Sequence, residues 1–186
     1  IAISPKDGTS ASVLLRNADT AMYQAKALGR NTSSFFTPQM NVAMRRRFEI
    51  EEQMHGALER NEFELYYQPQ IDVKTNTIIG AEALLRWHNI VLGEITPDEF
   101  IPIAEQTGLI APIGVFVINQ ALRFLNEWQT VNNQQYTMAV NLSPRQFRDP
   151  ELVNIIIHAL NENTISNECL ELEITEGVLM DGQTSI

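Results

Sequence analysis

The stretch Glu82-Ala83-Leu84-Leu85-Arg86-Trp87 sets a carboxylate inside an otherwise apolar segment, an arrangement that few folds tolerate. The residues before it, Thr77-Ile78-Ile79-Gly80-Ala81, are mostly β-branched or small, so the segment reads as a buried strand of a parallel-type sheet. A buried carboxylate without compensation is costly, so Glu82 calls for a cation, a metal ion, or a strand end that opens into a cleft. Alternation places Glu82, Leu84 and Arg86 on one face, which makes Arg86 one candidate partner.

The surrounding pattern says what kind of sheet this is. Phe63, Leu65 and Tyr67 alternate with Glu64, Tyr66 and Gln68, and Asp72-Val73-Lys74-Thr75-Asn76 supplies a turn, so Glu82 lies on the second strand of a hairpin. Thr96-Pro97-Asp98-Glu99 starts a helix, with Pro102 expected to interrupt it and Gly108 to end it. The next helix, over about residues 112–128, carries a stripe of Ile113, Phe116, Val117, Gln120, Ala121, Phe124, Leu125 and Trp128. A short strand over 136–140 runs into Asn141-Leu142-Ser143-Pro144, and a helix after Asp149-Pro150 turns Leu152, Ile155, Ile156, Ala159 and Leu160 inward. The last strand alternates strictly over 170–175, with Glu171, Glu173 and Thr175 opposite Leu170, Leu172 and Ile174. Strands alternating with helices predict an α/β fold, either a (β/α) barrel or a doubly wound sheet. A barrel takes roughly 250 residues, about twice the number after residue 62, so about half a barrel is expected.

The first 60 residues have a different character. Residues 1–3 read as the end of a strand, followed by a turn at Pro5-Lys6-Asp7-Gly8. A helix comes next, with Leu14, Ala18, Ala21, Met22, Ala25 and Leu28 on its stripe, Ser10 or Ser12 at its start and Gly29 at its end. Lys26 and Arg30, one turn apart, suit either a shared anion or the compensation of a helix C-terminus. Residues 38–60 predict a connector helix with drifting stripes, Met40, Met44 and Phe48 and then Ile50, Met54 and Leu58, and a solvated charged surface. The chain reads as a piece of something longer.

Composition excludes several classes. Lys and Arg number 13 against 23 Asp and Glu, and a net charge of -10 argues against a nucleic-acid polymer as partner. The single cysteine, Cys169, builds no disulfide framework and fits a reducing compartment. No uninterrupted apolar run of about 18 residues and no signal peptide are present, so a cytoplasmic location is expected, with any membrane anchor elsewhere in the parent protein.

Glu82, Asn141 and Glu173 fall where successive strands are expected to end, and in a barrel those ends form the active-site face. Oxygen-only donors favour Mg²⁺ or Mn²⁺ over zinc or copper. His55, His88 and His158 lack metal-ligand spacing, so surface or packing roles are expected of them. The pattern alone leaves open whether Glu82 is a metal ligand or the partner of Arg86.

Two resemblances bear on that choice. Residues 18–31, Ala18-Asp19-Thr20-Ala21-Met22-Tyr23-Gln24-Ala25-Lys26-Ala27-Leu28-Gly29-Arg30-Asn31, resemble the closing helix of the GGDEF (diguanylate cyclase) domain, whose lysine and arginine at the positions of Lys26 and Arg30 contact nucleotide phosphates. The GGDEF signature loop is absent. Further on, Tyr67-Gln68-Pro69-Gln70, Glu82-Ala83-Leu84-Leu85-Arg86-Trp87, Phe100-Ile101-Pro102-Ile103-Ala104-Glu105, Gly108-Leu109-Ile110, Asn141-Leu142-Ser143 and Glu171-Leu172-Glu173-Ile174-Thr175-Glu176 together resemble the EAL domain of cyclic-di-GMP phosphodiesterases.

The resemblance implies residues 1–36 as a GGDEF tail, 37–61 as a linker helix and 62–186 as the first half of an EAL-type (β/α) TIM-like barrel. It implies Glu82, Asn141 and Glu173 as ligands of Mg²⁺ or Mn²⁺, Gln68 and Arg86 as substrate contacts, and Glu176 as the support of an active-site loop. The implied reaction is two-metal hydrolysis of cyclic di-GMP to a linear dinucleotide; the alternative is a degenerate EAL module that binds the nucleotide as a receptor. Implied partners are cyclic di-GMP, upstream GGDEF and sensory domains, and a second copy through the EAL domain. His88-Asn89-Ile90 departs from the family's His-Pro pair, and the aspartate pair, lysine and later glutamate that complete the family's site are expected beyond Ile186.

Overall fold

The computed structural model describes residues 1–27, 29 and 31–174; Leu28, Arg30 and Glu176 lie outside the described residues, and with them the Lys26–Arg30 pairing and the role expected of Glu176. The chain divides into two compact units, Ile1–Glu52 and Gln53–Ile186. Among the described residues no helix is long and apolar enough to cross a membrane.

In the first unit, α1 (Ala11–Ala27) starts where the Val13 N–H donates to Ser10 Oγ at 3.4 Å. Its buried face is Asn17, Thr20, Ala21 and Ala25, whereas Met22 is half exposed. Apolar periodicity misses this rotation because Asn17 and Thr20 bury polar side chains whose donors are bonded: Asn17 Nδ2 donates to the Asp7 carbonyl at 2.7 Å and Thr20 Oγ1 to the Arg16 carbonyl at 3.1 Å, while Asn17 Oδ1 is buried with no hydrogen-bond partner among the described residues. Residues 1–3 form no strand. Ile1 is tied to the backbone of Ser34 and Phe36, both at 2.7 Å, with no ladder extending from these bonds. The connector helix α2 (Pro38–Met54) is shorter than expected. Gly56 and Asn61 take positive φ, 76° and 54°, so residues 55–61 turn instead of continuing it. Arg45 pairs with Glu49 at 2.9 Å on the exposed surface of α2, a contact worth tenths of a kcal/mol.

The second unit is a mixed sheet with helices. Its strands are β1 (Phe63–Asp72), β2 (Thr77–Asn89), β3 (Gly93–Ile95), β4 (Thr137–Leu142) and β5 (Leu170–Ile174). Between them run α3 (Pro97–Thr107), α4 (Ile110–Asn132), α5 (Pro144–Phe147) and α6 (Leu152–Glu162), with one 3₁₀ turn, Asn167–Cys169, before β5. The order across the sheet is β1-β2-β4-β5, with β3 paired to β2. β1 and β2 form the expected antiparallel hairpin, its turn held by Asp72 Oδ1, which accepts from the Lys74 and Thr75 N–H groups at 2.8 and 3.0 Å. β2–β4 and β4–β5 are parallel, and each connection passes through helices, as a parallel pairing requires. Gly80 lies opposite Thr137 so closely that a Cβ there would strike Thr137, and its absence lets β4 come alongside β2.

Apolar side chains cluster on one face of this sheet. Phe63, Trp87 and Phe100 pack with ring centroids 5.4–5.8 Å apart. Along α4 the buried residues include Gly114, Ile118 and Leu122, a stripe rotated from the expected one. Phe124 and Trp128 instead sit at its edge in an aromatic row, Tyr67–Phe124 at 3.8 Å and Trp128–Tyr136 at 3.9 Å, both stacked. Their large rings carry the apolar periodicity while the closest approach to the strands belongs to smaller residues. Burial raises the Tyr67 hydroxyl to about 12.

Two expectations are corrected here. α3 runs unbroken through Pro102, because the Asp98 carbonyl that the proline leaves without a donor sits in an exposed first turn, where solvent serves it. It ends as expected at Gly108, φ 87°. β3 has no counterpart among the strands expected from the sequence: three residues are too few for a periodic signal, and the turn into β3 is closed by Asn89 Oδ1 accepting from Val91 and Leu92 N–H at 3.0 and 2.9 Å.

The start of the unit is pinned by Glu62. Its carboxylate, only 8% exposed, accepts from Trp87 Nε1 at 3.0 Å, Asn89 Nδ2 at 2.9 Å and Arg60 Nε at 2.7 Å. The hydrogen bond from Arg60, assisted by those from Trp87 and Asn89, holds it well below the ordinary 4.5, at about 2. Since its folded value is depressed, the stability it contributes is complete above its unfolded value and disappears as pH falls through the folded one. Glu62→Ala should lower unfolding free energy by ~2 kcal/mol in urea titration at pH 7, because the indole N–H is left buried without an acceptor and the Asn89 amide keeps only the longer bond to Gln53 Oε1. The difference from the unaltered chain should shrink between about pH 4.5 and pH 2.

Candidate functional site

The register decides which side chains share a face. Gln68 pairs with Glu82 across the hairpin, Glu82 with Ala139 in the parallel ladder, and Asn141 with Glu173 in the next. Directly paired residues point to the same side of a sheet, so Gln68, Glu82, Arg86, Asn141 and Glu173 all lie on one face. Ala81 and Ala83, the neighbours of Glu82, are 3% exposed on the other face. The buried strand read from the sequence is therefore buried on one side only. Glu82 itself is half-buried, and Gln68, Asn141 and Glu173 are exposed.

The expected placement of Glu82 at a strand end also needs correcting. It lies in the middle of β2, because the strand continues to Asn89 by pairing with β1 and β3. What ends near Glu82 is the parallel part of the ladder, which covers only Gly80 to Ala83 of β2. Asn141 lies one residue before the end of β4, and Glu173 one residue before the end of β5.

Asn141 and Glu82 are in contact: Asn141 Nδ2 donates to Glu82 Oε1 at 2.6 Å. A carboxylate only accepts, so the amide presents its nitrogen to Glu82 and keeps its oxygen available. The amide, not Arg86, is thus the partner of Glu82. Arg86 turns its guanidinium to the Leu85 carbonyl, with Nη1 at 2.9 Å, and lies 5.3 Å from the centre of the Tyr66 ring. Glu82 and Arg86 are four positions apart, about 13 Å along β2.

The donors gathered here are two carboxylates and two amides, hard oxygen groups that suit Mg²⁺ or Mn²⁺. Among the described residues no three His, Cys, Asp or Glu side chains group closely enough to hold a metal ion, so an ion at this place would draw on the Asn141 amide. His88 is paired with Glu64 at 2.6 Å and His158 with Glu162 at 3.3 Å, all four side chains well exposed.

On the helix side of the sheet lies a cavity of about 450 Å³ among β2, β4, α3, α4 and α5, walled by residues such as Ile101, Ile113, Val117 and Leu142, with Arg86 and Asn141 also lining it. Glu105 borders it from α3. Burial raises its carboxyl above the ordinary range, against the opposing pull of Arg145 and of a hydrogen bond from Ser143. Residue spacing assigns no role to Glu105, Ser143, Tyr66 or Glu62. Their contacts cross between elements, and the one local signal among them is the Ser143-x-x-Gln146 pattern that marks the start of α5.

The family model described as the EAL domain matches residues 51–185. The chain belongs to the EAL domain family. It is 40% identical over 180 residues to the bifunctional diguanylate cyclase/cyclic di-GMP phosphodiesterase MucR of Pseudomonas aeruginosa, covering 97% of this chain and 26% of that protein. The solved MucR phosphodiesterase in complex with c-di-GMP superposes with a TM-score of 0.68 at 39% identity, over 71% of this chain and 53% of that one. The FimX EAL domain from Pseudomonas aeruginosa bound to c-di-GMP superposes with a TM-score of 0.63 at 29% identity, over 72% of this chain and 52% of that one. The chain spans about a quarter of the length of the curated relatives it matches. As an EAL domain it is homologous to cyclic-di-GMP phosphodiesterases, and the mixed α/β sheet is the part of that fold which these residues build.

The contact between Glu82 and Asn141 gives a direct test. Asn141→Asp replaces a donor with a second acceptor facing a carboxylate, and should lower unfolding free energy in metal-free buffer at pH 7 by about 1 kcal/mol. The loss should recede on acidification, as one of the two carboxylates takes a proton.

Proposed function

We propose that the chain forms part of a cyclic-di-GMP phosphodiesterase, with Glu82, Asn141 and Glu173 as ligands of Mg²⁺ or Mn²⁺ in an EAL-type barrel. The observation that carries this reading is the Asn141–Glu82 contact at 2.6 Å on the face shared with Glu173, Gln68 and Arg86, in a chain of the EAL family. Divalent ions held by these residues would activate the attacking water and offset the charge that develops on the leaving oxygen. The chain's own residues do the rest. Glu82 and Glu173 offer carboxylate oxygens and Asn141 an amide oxygen; Arg86, held against Tyr66, presents its guanidinium to a substrate phosphate. Gln68, opposite Glu82, offers an amide to the same ligand. Water adds to one phosphorus, one phosphodiester P–O bond breaks, and the product is a linear dinucleotide. Glu176 supports the active-site loop in this reading.

The same reading makes residues 1–36 the tail of a GGDEF domain and 37–61 a linker helix, in a cytoplasmic part of a longer signalling protein. The match to MucR, described as both a cyclase and a phosphodiesterase, over 97% of the chain supports it.

The full-length gene product with Mg²⁺ should convert cyclic di-GMP to the linear dinucleotide, as read by chromatography. Chelation should abolish turnover, and Glu82→Ala should reduce it about a hundredfold or more. Tight binding without turnover would replace this reading with that of a receptor.

A further inference from the structure

Directly across the hairpin from Arg86 stands a carboxylate. β1 and β2 pair Glu64 with Arg86 and Tyr66 with Leu84, so Glu64, Tyr66 and Arg86 share the face that carries Glu82. Opposed residues of an antiparallel pair have Cβ atoms about 4.5–5.5 Å apart, close enough for an ion pair. Among the described residues that pair does not form. Glu64 Oε1 lies instead 2.6 Å from Nε2 of His88, two residues further along β2 on the same face. Imidazole can carry a proton on Nε2 whether charged or neutral, so this contact does not require His88 to be ionised. A second carboxylate, Glu94, stands opposite His88 on β3, on the other side of β2 from Glu64. Arg86 meanwhile donates from Nη1 to the Leu85 carbonyl at 2.9 Å, and its guanidinium lies 5.3 Å from the centre of the Tyr66 ring.

The consequence is electrostatic. A carbonyl and an aromatic ring are neutral partners, which orient the guanidinium without cancelling its charge and leave most of its N–H groups for an incoming anion. An arginine paired with Glu64 would have to lose that counter-ion before meeting a phosphate. We infer that His88 is a positioning residue, which holds the Glu64 carboxylate away from Arg86 and so keeps the guanidinium available to a phosphate of the substrate. This role rests on the contact between Arg86 and substrate given under Proposed function. His88 acts through Glu64. Both side chains are well exposed, so the competition it prevents is worth a modest factor in affinity.

Equilibrium dialysis of cyclic di-GMP against the full-length gene product, with divalent metal chelated, reads the contact without turnover. His88→Ala should free Glu64 to pair with Arg86 and weaken binding about threefold. Adding Glu64→Gln to that variant should restore binding, and Glu64→Gln alone should bind at least as tightly as the unaltered protein, because no carboxylate is then left opposite Arg86. His88→Ala removes an exposed side chain and keeps the bond from its main-chain N–H to the Glu62 carbonyl, so the hairpin stays in place. A merely structural role for His88 predicts a double variant as weak as His88→Ala. That result, or unchanged binding in His88→Ala, overturns the inference while Arg86→Ala still weakens binding. Failure of the unaltered protein to bind, or indifference to Arg86→Ala, overturns the phosphate contact of Arg86, and this inference with it.

Discussion

The parallel pairing of β2 with β4 is the constraint on which the rest of the second unit depends. It covers only Gly80 to Ala83 of β2, yet it determines which residue of β4 stands near Glu82 and on which face. A slip of one residue would turn Asn141 to the helix side and bring a core residue to the polar face. Gly80 is what permits this register at its lower end, since Thr137 occupies the space a side chain would need. The contact between Glu82 and Asn141 is a consequence of backbone pairing as much as of side-chain chemistry.

Around that pairing the two faces of the sheet play different parts. The apolar face is sealed by rings and branched side chains, which fix the strands in place. The polar face keeps oxygen and nitrogen groups half-buried or exposed, so their mutual contacts are not dissolved into a core. Glu62 links the two ends of the hairpin by taking donors from Trp87 and Asn89, and Trp87 is the residue directly after Arg86. A network well removed from Glu82 thereby holds the end of the strand on which Arg86 sits.

Much of this is readable along the chain. The strict alternation of β5, the hairpin around Asp72, the Thr96-Pro97 helix start and the Gly108 stop are signals within a few residues, where local geometry and local sequence are the same thing. The rotation of α1 is hidden because Asn17 and Thr20 are buried polar residues with private hydrogen bonds. The continuity of α3 through Pro102 turns on whether one carbonyl faces solvent, which a sequence does not record. The length of β2 beyond Glu82 depends on two partner strands, one of them only three residues long. The expected roles of Glu82, Asn141 and Glu173 come from a series of motifs in order, and the structure adds where these residues stand.

The sequence by itself determined that strands and helices alternate, that a carboxylate interrupts an apolar strand, and that the motif series belongs with EAL domains, because each of these is carried by residue identity and spacing. The tertiary structure alone decided that Glu82 lies on the open face, that an amide 59 positions further on meets its carboxylate, and that Arg86 turns to Tyr66 instead. Those outcomes depend on strand register and helix placement, and both are settled by contacts between segments that are neighbours only once the chain has folded.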